Sequence, residues 1–193
     1  VLFTREGPVL VRELIGRGLK VFLDLKWHDI PNTVAGGVEA ARSQGVRMAT
    51  VHTLGGRTML EAAVRAAGSE LGLVGVTVLT SLDATAFGAA VGRRRVDPVR
   101  EVERLARVGR DAGLRGAVCS AREASAVRRI VGPEGWVVVP GIRRAGDAPA
   151  DQARTATPAE AVGAGASHLV IGRPLLGAAD PAAALSEFLA AGG

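Results

Sequence analysis

Aromatic residues make up only 3% of the 193 residues, cysteine occurs once and lysine twice. Each shortage excludes something. The net charge of +5 would suit nucleic acid, but single-strand binding relies on aromatic faces for base stacking. The arginines are also scattered, apart from Arg93-Arg94-Arg95, which reads most simply as a solvated loop. A small anionic substrate, with a general preference for Arg, accounts better for the charge. The lone Cys119 leaves no disulfide framework within the chain and fits a reducing compartment. No apolar run reaches the ~18 residues of a membrane span, and Arg5, Glu6 and Arg12 interrupt any signal-peptide pattern. A cytoplasmic protein with neither nucleic-acid nor membrane partners is expected. Also missing are a Gly-rich dinucleotide loop, a Walker pattern and a nucleophile elbow. His28 and His52 lack metal-ligand spacing with cysteine or carboxylates and read as packing residues or supports of a nearby site. No metal site is expected from this spacing.

What is present is a repeating pattern. Hydrophobic residues at 48% and charged residues at 22% describe a globular chain, and its length fits one domain over residues 1–193. Apolar runs predict strands at 20–25, 46–52, 73–80, 114–119, 136–140 and 168–171. Helical spacing with Pro, Gly and Asp punctuation predicts helices at 8–18, 32–43, 57–67, 84–91, 97–112, 121–131, 158–164 and 181–190. The strands are mostly unalternating, as in parallel sheets buried on both faces. Six such units fit an open doubly wound sheet or most of a (β/α)8 barrel. Polar residues decide between them: Asp24 and Lys26, His52, Thr80, Ser120, Gly141 and Gly172-Arg173 all fall at C-terminal strand ends. In a barrel those ends converge on one mouth. The expected fold class is therefore α/β, a (β/α)8 TIM barrel.

The scarcity of lysine points to the site. The other 22 basic residues are all arginine, yet Lys26 stands between Asp24 and Asp29 in the run Asp24-Leu25-Lys26-Trp27-His28-Asp29-Ile30-Pro31-Asn32-Thr33. Side chains alternate along a strand, so Asp24 and Lys26 should share a face about two residue rises apart. A compact ammonium can give up a proton where a guanidinium hardly ever does. A buried ion pair at a strand end is the plainer account of Asp-x-Lys alone. The second acid and the Pro-Asn-Thr that follows favour a site. After the last strand, Gly172-Arg173-Pro174 offers backbone N–H groups and a bidentate cation to a phosphate. The polar 141–154 segment carries Arg143, Arg144 and Gln152 and has the length of a lid, a solvated surface loop being the plainer account, above all for Arg144 and Asp147. Thr80 could bond a polar ligand edge or cap the next helix. His168, near a strand start, is expected to be structural.

These residues bring a family into view. The run from Asp24 to Thr33 closely resembles the signature of the orotidine 5'-phosphate decarboxylases. The resemblance continues in order through Val51-His52-Thr53-Leu54-Gly55-Gly56, Val78-Leu79-Thr80-Ser81 and Val118-Cys119-Ser120. It then runs through Pro140-Gly141-Ile142-Arg143, Asp151-Gln152 and Ile171-Gly172-Arg173-Pro174, covering essentially the whole chain. It implies a cofactor-free carboxy-lyase that converts orotidine 5'-phosphate to UMP and CO2 in pyrimidine synthesis. Lys26 would be the proton donor to C6 of the pyrimidine, and Asp24 would hold Lys26 and crowd the departing carboxylate. Asp29 would complete the charged array and, with Ile30 and Thr33, reach into the neighbouring subunit's site of a homodimer. Thr80 would contact substrate, and Arg143, Gln152, Gly172 and Arg173 would clamp the phosphate.

The resemblance also implies a departure. The family's barrel opens with two strands not visible here, which carry an Asp and a further Lys of the charge array. Lys20 is wrongly placed to substitute. The expectation is an N-terminally incomplete barrel with strands 3–8 visible, unstable or inactive as an isolated chain. Two other outcomes stay open. One is a Mg²⁺-dependent sugar-phosphate decarboxylase or aldolase barrel that shares Asp-x-Lys-x-x-Asp. The other is a non-catalytic fragment that binds nucleotide phosphate.

Overall fold

The computed structural model describes residues 2–144 and 155–192. They fall into two compact units, one formed by the chain up to Val76 with Val108–Arg115, the other by Thr77–Arg107 with the chain from Gly116.

The first unit begins with α1 (Leu2–Gly16), interrupted at Gly7, whose φ of 63° precedes Pro8. Then come β1 (Phe22–Trp27), α2 (Pro31–Ser43), β2 (Met48–His52), a 3₁₀ turn (Thr53–Gly55), α3 (Gly56–Ala67) and β3 (Gly72–Val76). β1 pairs in parallel with β2, and β2 with β3. Helix α2 starts where Pro31, at its first turn, has φ already set for a helix and no N–H to lose. It stops before Gly45, which takes a left-handed φ of 83° and donates to the Arg42 carbonyl. Met48 to Val51 are all buried, so β2 is covered on both faces. Val34 and Val38 of α2, Leu60 and Ala63 of α3, and Ala49 and Val51 of β2 share one apolar core.

The second unit is built the same way: α4 (Ala84–Ala90), α5 (Pro98–Asp111, as far as Arg107), β4 (Gly116–Val118), α6 (Ala121–Val131), β5 (Trp136–Pro140), α7 (Pro158–Gly163), β6 (His168–Val170), α8 (Arg173–Leu176) and α9 (Pro181–Gly192). β4 pairs in parallel with β5, and β5 with β6. Two helices open with reciprocal caps. The Ser120 N–H donates to Glu123 Oε2 at 3.0 Å, and the Thr157 N–H to Glu160 Oε2 at 2.8 Å. Gly116 is demanded by its neighbour, since a Cβ there would stand 1.9 Å from the Trp136 carbonyl oxygen. The Arg128 guanidinium ties α6 down by donating to the carbonyls of Gly132, Pro133, Gly135 and Gly165 at 2.6–3.0 Å.

Two expectations are corrected here. The strand predicted over 73–80 ends at Val76, and Thr80 lies half-buried in a turn beyond it, in which Leu82 N–H donates to the Leu79 carbonyl. Thr77 is buried but spends its hydroxyl on the Val118 carbonyl at 2.7 Å. β-branched residues at 77, 78 and 80 extend the apparent strand in sequence, although their backbone has left the ladder. The short α8 was not expected as a helix in its own right. No helix among the described residues is long and apolar enough to cross a membrane.

Candidate active site

The C-terminal half of β1 is not a regular strand. Phe22 and Leu23 face Met48 and Ala49, but Trp27 faces Val51, so four steps along β1 match two along β2. The excess bulges out at Asp24, Leu25 and Lys26. Lys26 has φ 52°, the one left-handed non-glycine residue among those described. That conformation costs an L-residue about 1–2 kcal/mol.

The bulge brings two side chains together. Lys26 Nζ donates to Asp24 Oδ2 at 2.5 Å, with the two side chains 42% and 45% exposed. Behind them lies Thr50 of β2, 1% exposed. Its hydroxyl donates to Asp24 Oδ1 at 2.9 Å and accepts the Lys26 backbone N–H at 2.8 Å. An ion pair this exposed stabilises a fold by about 0–1 kcal/mol. That is no more than the strain of the lysine it contains, so fold stability does not explain the arrangement. A charged pair set at a solvent-open bulge is what proton delivery needs.

Alternation placed Asp24 and Lys26 side by side in the sequence reading, and they are side by side. The route differs, because a left-handed bulge, not strand pleating, aims the lysine. Asp29 carries no ion pair to Lys26 among the described residues. Its Oδ1 accepts the N–H of Ile30 at 2.6 Å, in the connection to α2. Asp29, Ile30 and Thr33 are all exposed, Ile30 by 68%.

His28 and His52 stack beside this pair, ring centroids 5.2 Å apart and 21° from parallel. His52 Nδ1 accepts the Leu54 N–H at 3.4 Å. Burial, the neighbouring His28 and the Lys26 charge, in that order, push the His52 pKa below its ordinary value. The unfolded chain therefore takes up a proton near pH 6.5, where native His52 stays neutral. Stability is unaffected above that pH and falls as pH drops toward the lower native value. His168 adds to the same slope through burial. It opens β6 edge-on to Trp136, as a structural residue would. We expect the urea midpoint to fall between pH 7 and 5.5, and to fall less steeply in His52→Asn. Equal slopes in equilibrium unfolding would show that His52 is not buried as a neutral ring.

In the second unit, Pro140, Gly141, Ile142, Arg143, Val170, Gly172 and Arg173 line a pocket of about 120 Å³. Arg143 is 8% exposed, and its N–H donates to the Ala156 carbonyl at 2.9 Å. Arg173 is exposed at the start of α8. A Cβ at Gly172 would meet nothing within 4 Å, so that backbone is open to a ligand. Three of the four expected phosphate residues, Arg143, Gly172 and Arg173, thus line one small pocket, and the fourth, Gln152, lies outside the described residues. The sequence reading missed Thr50. An isolated threonine inside an apolar strand gives no signal until the register of β1 on β2 is known.

Comparisons with known proteins bear on the family and the fold. Residues 1–188 match the orotidine 5'-phosphate decarboxylase / HUMPS family. An orotidine 5'-phosphate decarboxylase of Anaeromyxobacter sp. (strain K) is 54% identical over 191 residues, covering 99% of this chain and 83% of that protein. One from Chromohalobacter salexigens is 52% identical over 188 residues, covering 96% and 79%. The crystal structure of orotidine 5'-phosphate decarboxylase from Lactobacillus acidophilus superposes with a TM-score of 0.83 at 33% identity, covering 97% of this chain and 81% of that one. The parallel βα repeats described above are those of a (β/α)8 barrel, of which six strands lie among the described residues. The chain belongs to the orotidine 5'-phosphate decarboxylase / HUMPS family.

Proposed function

We propose that this chain is an orotidine 5'-phosphate decarboxylase, forming UMP and CO2, with Lys26 as proton donor. The observation that carries the reading is the Asp24–Lys26 pair on its left-handed bulge. In the reaction the bond between C6 and the carboxylate carbon breaks, CO2 leaves, and the electron pair stays on C6. The Lys26 ammonium stabilises that charge and then transfers a proton to C6, so one proton is consumed per turnover. Asp24, negatively charged beside the substrate carboxylate, disfavours the ground state and keeps the ammonium in place. Charges set before the reaction need no reorganisation as the transition state forms.

Arg143, Gln152, Gly172 and Arg173 take the 5'-phosphate in this reading, and Thr80 contacts the substrate. Binding energy from the phosphate, far from the breaking bond, lowers the barrier. Asp29, Ile30 and Thr33 are exposed and suit a homodimer in which they complete the neighbouring subunit's site. Loss of orotidine 5'-phosphate absorbance, followed with EDTA present, tests the reading on this chain and on the full gene product. Turnover by the gene product supports it. If that product binds UMP without turnover, the reading falls to a nucleotide-binding role. Activity abolished by EDTA would instead indicate a Mg²⁺-dependent relative.

A further inference from the structure

We infer that Thr50 is the positioning residue of this site, its one hydroxyl fixing both the Asp24 carboxylate and the backbone of Lys26. The catalytic consequence rests on the decarboxylase reading above, whereas the positioning itself does not. Thr50 sits mid-strand on β2, opposite Val74 of β3, and is 1% exposed. A hydroxyl so buried must be bonded, and this one uses its proton and a lone pair on the same neighbour strand. The proton goes to Asp24 Oδ1, and the lone pair takes the Lys26 N–H.

A hydroxyl has a single proton. With it committed to Oδ1, the carboxylate cannot rotate freely, and Oδ2 is left for the ammonium. The register jump between Leu23 and Trp27 places the bulge beside Thr50. There the hydroxyl serves the lysine N–H as a ladder carbonyl would in a regular strand. Without it the left-handed turn would hold a half-buried N–H with no partner, and the turn would relax. Where the Nζ stands is therefore set from β2, through a side chain that touches neither substrate nor proton.

Because the chain has only Lys20 and Lys26, the two can be followed individually. We expect Thr50→Val, equal in shape but without the hydroxyl, to raise the acetylation rate of Lys26 relative to exposed Lys20 by about three- to tenfold. Thr50→Ser should leave the ratio within about twofold of wild type. The decarboxylation kcat of Thr50→Val should fall by about 10- to 100-fold, the scale of an ångström-level misplacement, with KM little changed and Ser restoring most of it. An unchanged Lys26:Lys20 ratio in Thr50→Val would overturn the inference, as would equal defects in Val and Ser. Should the Val variant fail to fold, amide exchange in the wild-type protein decides. A Lys26 N–H bonded to the hydroxyl must be protected, and exchange at the rate of a free amide would refute it. Wild-type protein without turnover would remove the decarboxylase reading and leave the labelling and exchange tests standing.

Discussion

Lys26→Ala is expected to lower kcat/KM for orotidine 5'-phosphate by about 10⁴-fold or more, with the affinity for UMP within about tenfold of wild type. A positioned proton donor contributes about 10²–10⁴, and a preorganised charge aimed at the developing anion about 10²–10³. The two are lost together because one ammonium supplies both. UMP carries no charge at C6, so its binding depends little on the lysine. Lys26→Arg separates the two contributions: the guanidinium keeps a positive charge but is a poor proton donor. It should regain some of the electrostatic part and remain far below wild type. Lys26→Gly adds a structural check. Glycine accepts φ 52° without penalty, so this variant should be inactive yet melt above Lys26→Ala, by the few degrees that correspond to about 1 kcal/mol. Near-normal turnover in Lys26→Ala would remove the lysine from its role.

That lysine also marks where sequence reasoning reached and where it stopped. The βα repeat was legible because its determinants are local. Trp136–Pro140 and Ala121–Val131 have the expected bounds, each set by an apolar run or a cap written in adjacent residues. Lys26 itself was legible through composition, as one of two lysines among arginines placed between acids. Its backbone was not. The bulge exists because β1 and β2 pair with unequal step counts, and register between strands some 25 residues apart leaves no trace in either strand alone. For the same reason Thr50 was invisible although its neighbours were not. Thr80 failed in the opposite direction. It sits in a run with high strand propensity whose backbone has already turned, and propensity reports side-chain fit, not hydrogen bonding. Ser120, one of the polar residues at strand ends that suggested a barrel mouth, is buried in the cap of α6 with Glu123. A polar residue between strand and helix has two uses, and only the structure separates them.

Arg173→Ala is expected to reduce kcat/KM for the phosphorylated nucleotide by about 10²–10³, through kcat as well as KM. Two charge-assisted hydrogen bonds to a phosphate are worth about 3–4 kcal/mol together, which is two to three powers of ten. The pocket of about 120 Å³ lined by Arg173 is also lined by Arg143. The two side chains differ in what their loss would do. Arg143 is buried, and its segment pairs with Ala156, so its removal perturbs the pocket wall along with the charge. Arg173 is exposed at the start of α8, so its truncation removes the charge and perturbs the buried part of the wall less. The substrate's own phosphate supplies the control. For orotidine lacking it, wild type and Arg173→Ala should be turned over with equal, low efficiency. The kcat component matters most. If phosphate contacts only tethered the ligand, the variant would recover full kcat at saturation. If their energy is realised in the transition state, saturation does not restore it. Unchanged KM and kcat/KM in Arg173→Ala would move the phosphate elsewhere, whereas equal losses with and without the phosphate would make Arg173 a structural residue.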